Sequence, residues 1–427
     1  MTVRLGADPR EPSLLAQRPF VLFWLARMFA MIAHQMLAVA VGWQVYALTG
    51  RALDLGLVGL VQFLPSFFLV LVAGHVADHF DRRRVLQLCM VAEAAAALGL
   101  GIASATAVIG ETVIFVLIFV VGAARAFQMP TMQALLPALV PASLLSRAIA
   151  ANASAGQAAI IAGPALGGII YVAGPATVYV VSTVLFMLTG LMIFLIRIKR
   201  RRAPTSTARL SSVLEGIRFI RRQPAVLGAI SLDMFAVLLG GATALLPIYA
   251  RDILHTGPWG LGLLRSSTAV GALGMALWLA HHPLHRHAGR TMFAAVAVFG
   301  GATVVFGLSQ SFAVSLAALL VLGAADMISV VIRQSLVQLQ TPDHMRGRVS
   351  AVNSLFIGTS NQLGEFESGV TAAWLGVVPS VVVGGIGTLV VVLLWMRFFP
   401  SLANIDRLEG RAIVTEVAPK SSPAKAD

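Results

Sequence analysis

Residues 120–154 read VVGAARAFQMPTMQALLPALVPASLLSRAIAANAS, and residues 321–355 read VLGAADMISVVIRQSLVQLQTPDHMRGRVSAVNSL. The two stretches align without a gap at an offset of 201 positions. Gly122, Ala123, Ala124, Gln133, Leu135, Pro141, Arg147 and Asn152 meet identical residues at Gly323, Ala324, Ala325, Gln334, Leu336, Pro342, Arg348 and Asn353. A shorter echo sets RMFA at 27–30 against DMFA at 233–236. The chain therefore reads as two copies of one plan in the same orientation, as in membrane folds with a parallel repeat about the membrane normal. Both echoes exchange one charge: Arg125 aligns with Asp326, and Arg27 approximately with Asp233. A guanidinium keeps its charge, and taking it out of water costs roughly several kcal/mol. Arg125, inside an apolar run, demands a partner and a purpose.

The surroundings of the repeat are those of an integral membrane protein. Of 427 residues, 58% are hydrophobic and only 11% are charged, and the mean hydropathy is +0.86. A soluble chain carries roughly a quarter charged residues. Apolar runs long enough to span a bilayer, about 20 residues each, fall near 20–48, 53–77, 84–106, 111–135, 147–171 and 175–197. Six more lie near 225–250, 259–281, 291–309, 312–338, 349–374 and 379–399. The expected fold is an all-α membrane protein, twelve transmembrane helices in two pseudo-symmetric six-helix bundles. The expected division is 1–198 for the first half, 199–224 for a basic cytoplasmic linker, 225–400 for the second half and 401–427 for a cytoplasmic tail. The opening segment MTVRLGADPREPSLLAQRP is polar for too long to be a signal peptide, so the first apolar run reads as a retained helix.

A net charge of +13 raises the question of nucleic acid, and its distribution answers it. Twelve spans place both termini on one side, and 25 of the 31 Lys and Arg fall on that side, with only Arg51 and Arg251 in opposite loops. The positive-inside rule makes that side cytoplasmic. The basic charge is then a topology signal, and no nucleic-acid partner is expected. The three lysines, Lys199, Lys420 and Lys425, belong to no phosphate-binding loop, and no H-E-x-x-H or G-x-S-x-G occurs. The lone Cys89 excludes an intrachain disulfide and reads as a small core residue. No enzyme activity, cofactor or metal is expected; HHPLHRH at 281–287 reads as a solvated cation patch rather than a closed ligand set.

The second span ends in GHVADHFDRRRV, residues 74–85. Here the sequence resembles the major facilitator superfamily, whose loop between helices 2 and 3 carries G-x-x-x-D-[RK]-x-G-[RK]-[RK]. Gly74, Asp78, Arg82, Arg83 and Arg84 match, whereas His79 replaces a basic residue and Asp81 a glycine. An acid at one helix end can pair with an arginine and cap a neighbouring helix, which makes a latch able to open and close. An ordinary positive-inside loop is the competing reading. Arg125 with Gln128 resembles a second motif of the family, R-x-x-Q-G in helix 4, with Met129 at the glycine. The resemblance implies a part for Arg125 in proton coupling; a structural charge pair between helices is the alternative.

In the fifth span, Gly156, Gly163, Pro164, Gly167 and Gly168 resemble the family's glycine-rich motif associated with antiporters, which implies export. Gly156, Gly163 and Gly167 share one helical face, fit for close contact with another helix, and Pro164 permits a bend. At the 201 offset GPALGG becomes GEFESG, so Glu365 replaces Pro164. Glu365 shares a face with Asn361 and Gly358, while Glu367 points about 200° away. Asp326, Ser329 and Arg333 form one face of helix 10, and Arg27 and His34 one face of helix 1, with Gln35 adjacent. Glu93, isolated among alanines, reads as a protonated helix-packing residue.

These readings converge on a secondary active transporter in a bacterial inner membrane, most similar to enterobactin-type siderophore exporters and related drug exporters. The pattern F-x-x-P-x-x-Q-A-L-L-P-A-L-V-P at 127–141 and RGRV at 346–349 carry that resemblance. The expected function is proton-coupled efflux of small amphipathic compounds by a monomer. Arg27, Arg125, Asp233, Asp326 and Glu365 are the coupling candidates; His34, Gln35, Gln128, Ser329, Arg333 and Asn361 are the cavity candidates. A proton-symporting importer and a non-transporting receptor or scaffold are the alternatives.

Overall fold

The computed structural model describes residues 14–197, 210–283 and 286–406. The first stretch of the chain, most of the basic linker's first half and the tail beyond Asp406 lie outside the described residues, as do Leu284 and His285 of the histidine-rich loop. Twelve long helices account for nearly all of it: α1 (Arg18–Thr49), α2 (Ala52–His79), α3 (Arg82–Ala105), α4 (Glu111–Leu135), α5 (Leu145–Tyr171) and α6 (Pro175–Leu195), then α7 (Pro224–Gly240), α8 (Gly257–His281), α9 (Ala288–Leu308), α10 (Phe312–Gln340), α11 (Asp343–Leu375) and α12 (Val377–Phe398). The described residues contain no strand. Among the described residues eleven helical stretches are apolar and long enough to cross a bilayer, the seventh only when the broken segment Pro224–Ile253 is taken whole; α11 is long enough, but its polar residues keep it outside that group.

Two expected elements differ. The seventh run does not form one helix. It stops at Gly240, passes through a 3-10 turn at Ala242–Leu245 and a single turn at Leu246–Ile248, and ends in a π turn at Tyr249–Ile253. Gly240 and Gly241 favour the break, and Pro247 lacks the amide a continuous helix would use. The linker, read only as polar and basic, carries an amphipathic helix at Leu210–Arg222. Its Ile220 packs with Val226, Ile230, Val337, Val349 and Val352, and Glu215 Oε2 pairs with Arg348 Nη1 at 2.5 Å.

The packing map repeats under a shift of six helices. In the first half α1 packs on α5 and α6, α2 on α4, and α3 on α4 and α6; in the second α7 packs on α11 and α12, α8 on α10, and α9 on α10 and α12. The halves meet through α5 against α8 and α2 against α11, again the same contact twice. Both crossings use glycine. A Cβ on Gly369 of α11 would lie 2.7 Å from the Cα of Gly56 on α2, and one on Gly168 of α5 would lie 3.1 Å from the Cα of Gly262 on α8. Without a hydrophobic drive between helices in lipid, such close backbone approach supplies much of the packing.

A smaller contact between the halves joins the C-terminal part of α1 to the segment after Gly240. There the Tyr46 hydroxyl donates to Asp252, the Arg251 guanidinium sits 5.6 Å from the centre of the Tyr46 ring, and Gly42 makes room for Pro247.

Candidate functional site

Between the halves lies a chamber of about 460 Å³. Its polar wall in the first half carries His34 and Gln35 from α1, Gln62 from α2, Arg125 from α4 and Gln157 from α5. The second half contributes Arg265 from α8, Asp326 from α10, and Gln362 and Glu365 from α11. Leu37, Val41, Leu55, Val58, Ile118 and Ile160 make much of the rest apolar. The combination suits a compound with an apolar body and a few polar groups. A second chamber of about 140 Å³ adjoins it, sharing His34, Gln35, Gln62 and Arg125 and adding Arg27, Gln128, Met129 and Met132.

Arg125 and Asp326, matched in the repeat, thus line one chamber from opposite halves. They are brought there because α4 and α10 occupy equivalent places, beginning at Glu111 and Phe312, 201 positions apart. Glu365 lies within Coulombic reach of both Arg265 and Arg125. Gly59 on α2 makes room for it, since a Cβ there would stand 2.7 Å from Glu365 Oε2. Arg125, Arg265 and Glu365 therefore interact in one buried space, while Asp326, on the same chamber wall, has Asp233 and Arg333 as its charged neighbours; such pairing is how charge is made tolerable at membrane depth.

Several expected cavity residues lie elsewhere. Arg333 lines neither chamber: its Nη1 is 2.9 Å from Asp233 Oδ2, and the two side chains are only 3% and 6% exposed. Asp233 and Ser329 border a recess of about 10 Å³ beside Asp326. Helical spacing put Ser329 and Arg333 on the Asp326 face, but a neighbouring helix, α7, covers that part of it. Asn361 also lines neither chamber; it is exposed, and its Nδ2 donates to the Ile357 carbonyl at 2.8 Å. Gln362 takes the place beside Glu365: it lies about 60° from Glu365 around the helix on the chamber side, whereas Asn361 lies about 40° away on the opposite side. Arg27 lines the smaller chamber, and its Nε has no hydrogen-bond partner among the described residues.

Glu93 is not isolated. It is fully buried on α3, and its Oε1 lies 3.2 Å from His34 Nε2. Arg265 went unnoticed in the sequence although its signal was the same as that of Arg125, an arginine within an apolar run, LGLLRSSTAV.

The glycine motif of α5 serves two neighbours. A Cβ on Gly163 would stand 2.5 Å from Gln35 Cβ and one on Gly167 2.9 Å from Met36 Cα, while Gly156 faces Met31, all on α1. Gly168 instead faces α8, and the Pro164 carbonyl abuts Gly262.

The loop between α2 and α3 braces one half. Asp81, standing at the motif's glycine, caps α3 by accepting from the Arg83 amide at 3.0 Å. Arg82 Nη1 donates to the Ala134 carbonyl at 2.9 Å and Arg83 Nη2 to the Phe194 carbonyl at 2.6 Å, satisfying the C-terminal ends of α4 and α6. Arg84 is exposed, Gly74 has open space around it, and the side chain of Asp78 lies outside the described residues. Among the described residues no cluster could hold a metal ion.

Residues 12–418 match the family model for transmembrane secretion effectors. The chain belongs to that family of the major facilitator superfamily. Multidrug efflux pump Tap of Mycobacterium tuberculosis is 27% identical over 92% of this chain and 98% of its own. The enterobactin exporter EntS of Citrobacter koseri is 25% identical over 91% of this chain and 94% of its own. The fold matches a bacterial homologue of the human lysosomal transporter Spinster, solved inward-facing and unoccupied, with a TM-score of 0.72 at 13% identity, covering 93% of this chain and 99% of that one. This is a multi-pass membrane transporter of the efflux type, with a small-molecule substrate.

Proposed function

We propose that the chain exports small amphipathic compounds, drugs or a siderophore, in exchange for protons. It does so as a monomer in a bacterial inner membrane with both termini cytoplasmic. The carrying observation is the chamber itself, where Arg125 of one half faces Asp326 and Glu365 of the other across apolar walls. Residues 1–198 and 225–400 are taken as the two moving units, hinged on the glycine crossings of α2 with α11 and of α5 with α8, with 199–224 as the linker between them and 401–427 as a cytoplasmic tail. In this orientation the described contacts close the outer face, and α11 provides the twelfth crossing.

The mechanism follows from charge balance. Ionised Glu365 compensates Arg125 and Arg265, and ionised Asp326 compensates Arg333 beside Asp233; with both Asp326 and Glu365 charged the closed chamber is tolerable. A proton arriving from outside neutralises one of them, its arginine loses that compensation, and the half carrying it moves to regain water or cargo contact. One proton falling through one pH unit gives about 1.4 kcal/mol, and about 2.3 more for each 100 mV. Reversing a conformational equilibrium from 1:99 to 99:1 takes about 5.5 kcal/mol, so a modest gradient moves the populations substantially.

The test uses liposomes containing the full chain, with ethidium as a fluorescent amphipathic probe and an imposed pH gradient. Wild-type protein is expected to move the dye against its gradient only when protons flow the other way. Asp326→Asn is expected to abolish proton-driven movement while leaving the protein inserted. Undiminished pH-driven transport in that variant would remove Asp326 from the mechanism.

A further inference from the structure

We propose that His34 and Glu93 form a second proton-holding site, in the first half, whose state is sensed by Arg125. The argument is one of hydrogen-bond accounting. His34 Nδ1 lies 2.6 Å from the Ala30 carbonyl oxygen. A carbonyl only accepts, so Nδ1 carries a hydrogen. Nε2 then faces Glu93 Oε1 at 3.2 Å. If Nε2 were bare and Glu93 ionised, two lone pairs would oppose each other around a fully buried carboxylate. One proton therefore resides between them, as imidazolium with carboxylate or as imidazole with carboxylic acid. Both arrangements have zero net charge. Glu93 Oε2 has no partner among the described residues, so nothing else there stabilises an anion through that atom.

The site is held in place and within reach. The Phe186 ring of α6 packs edge-on to the imidazole at 5.0 Å. His34 lines both chambers, so its proton can exchange with chamber water, whereas Glu93 lines neither. The surrounding titratable groups are Cys89 on α3, Arg125 on α4 and Arg27 further along α1; across the chamber stand Arg265, Asp326 and Glu365. Arg125 interacts with Glu93 in its own half and with Glu365 in the other. Loss of the shared proton through His34 leaves one negative charge on the pair, which draws Arg125 toward Glu93 and weakens its hold on Glu365. Regaining the proton reverses the preference.

That use in coupling rests on the proposed exporter function; the holding of the proton does not. The test is a calibrated proton titration of the purified full chain, with Glu93→Gln, His34→Gln, Asp326→Asn and the Glu93→Gln/Asp326→Asn double variant. Gln at position 93 can still donate to Nε2, so the fold is expected to persist, and His34→Gln gives a second route if it does not. Each of Glu93→Gln and His34→Gln is expected to exchange one proton fewer per chain than wild type, and the shortfalls of Glu93→Gln and Asp326→Asn are expected to add in the double variant. Wild-type proton counts in both His34→Gln and Glu93→Gln would overturn the proposal. Ethidium transport by the unsubstituted protein decides the exporter reading separately.

Discussion

Two positions three residues apart behave differently when the two halves are compared. Gly122 on α4 and Gly323 on α10 do the same work: a Cβ on the first would lie 2.3 Å from the Gln62 carbonyl oxygen of α2, and one on the second 1.9 Å from the Thr268 carbonyl oxygen of α8. Three residues on, Arg125 and Asp326 occupy equivalent walls of one chamber with opposite charge. Packing is repeated where backbones touch, and chemistry diverges where side chains face the cavity. The divergence extends to the internal ion pairs. The first half sets His34, on the wall of both chambers, against Glu93, and the second buries Asp233 with Arg333, which lines neither chamber.

The largest effect should come from exchanging the divergent charges. Arg125→Asp and Asp326→Arg alone are each expected to eliminate proton-driven dye transport in liposomes, because each sets like charges together in a buried space. The double exchange is expected to stay inactive, since Arg125 is placed near Glu93 and Glu365 while Asp326 adjoins Asp233 and Arg333. Recovery in the double variant would show the halves to be interchangeable and break the comparison.

Next in size is Asp233→Asn, which leaves Arg333 buried beside a neutral partner. Losing one member of such a pair costs about 3–5 kcal/mol, to be read as a lower thermal unfolding midpoint in detergent. Glu93→Gln should lower that midpoint far less, because an amide still satisfies His34. Equal losses would erase the distinction between a locked pair and an exchangeable one.

The smallest effect concerns the repeated glycines. Gly122→Ala and Gly323→Ala should each destabilise by roughly 1–3 kcal/mol through overpacking, with the second worse because its contact is tighter. Gly74→Ala, in open space, should leave the midpoint unchanged. Similar midpoints for all three would mean that the helices part freely and that packing is not what the repeat preserves.

Much of this was legible in the sequence because bilayers impose simple rules. Arg125 and Asp326 were found by a charge standing in an apolar run and by its misfit within an internal copy. Glu365 was found the same way, at the place of Pro164. Arg265 carries the same signal of a charge in an apolar run, but no charge stands at the matching position of the other half. Helical periodicity groups Ser329 and Arg333 with Asp326 without saying which neighbour covers them, and it groups Asn361 with Glu365 without saying which side of Glu365 meets the chamber. Glu93 looked solitary because its partner, His34, lies two helices away.

The sequence by itself determined the membrane character, the long helices, their repetition and the charges carried at depth. These follow from local composition and spacing, since hydrocarbon rejects unpaired backbone and unpaired charge wherever they occur. The tertiary structure decided which charges meet, which are sealed into pairs, and that His34 stands against Glu93. Those outcomes depend on the rotation and depth of helices distant in the chain, set by glycine contacts between α1, α2, α5, α8 and α11 that no single segment encodes.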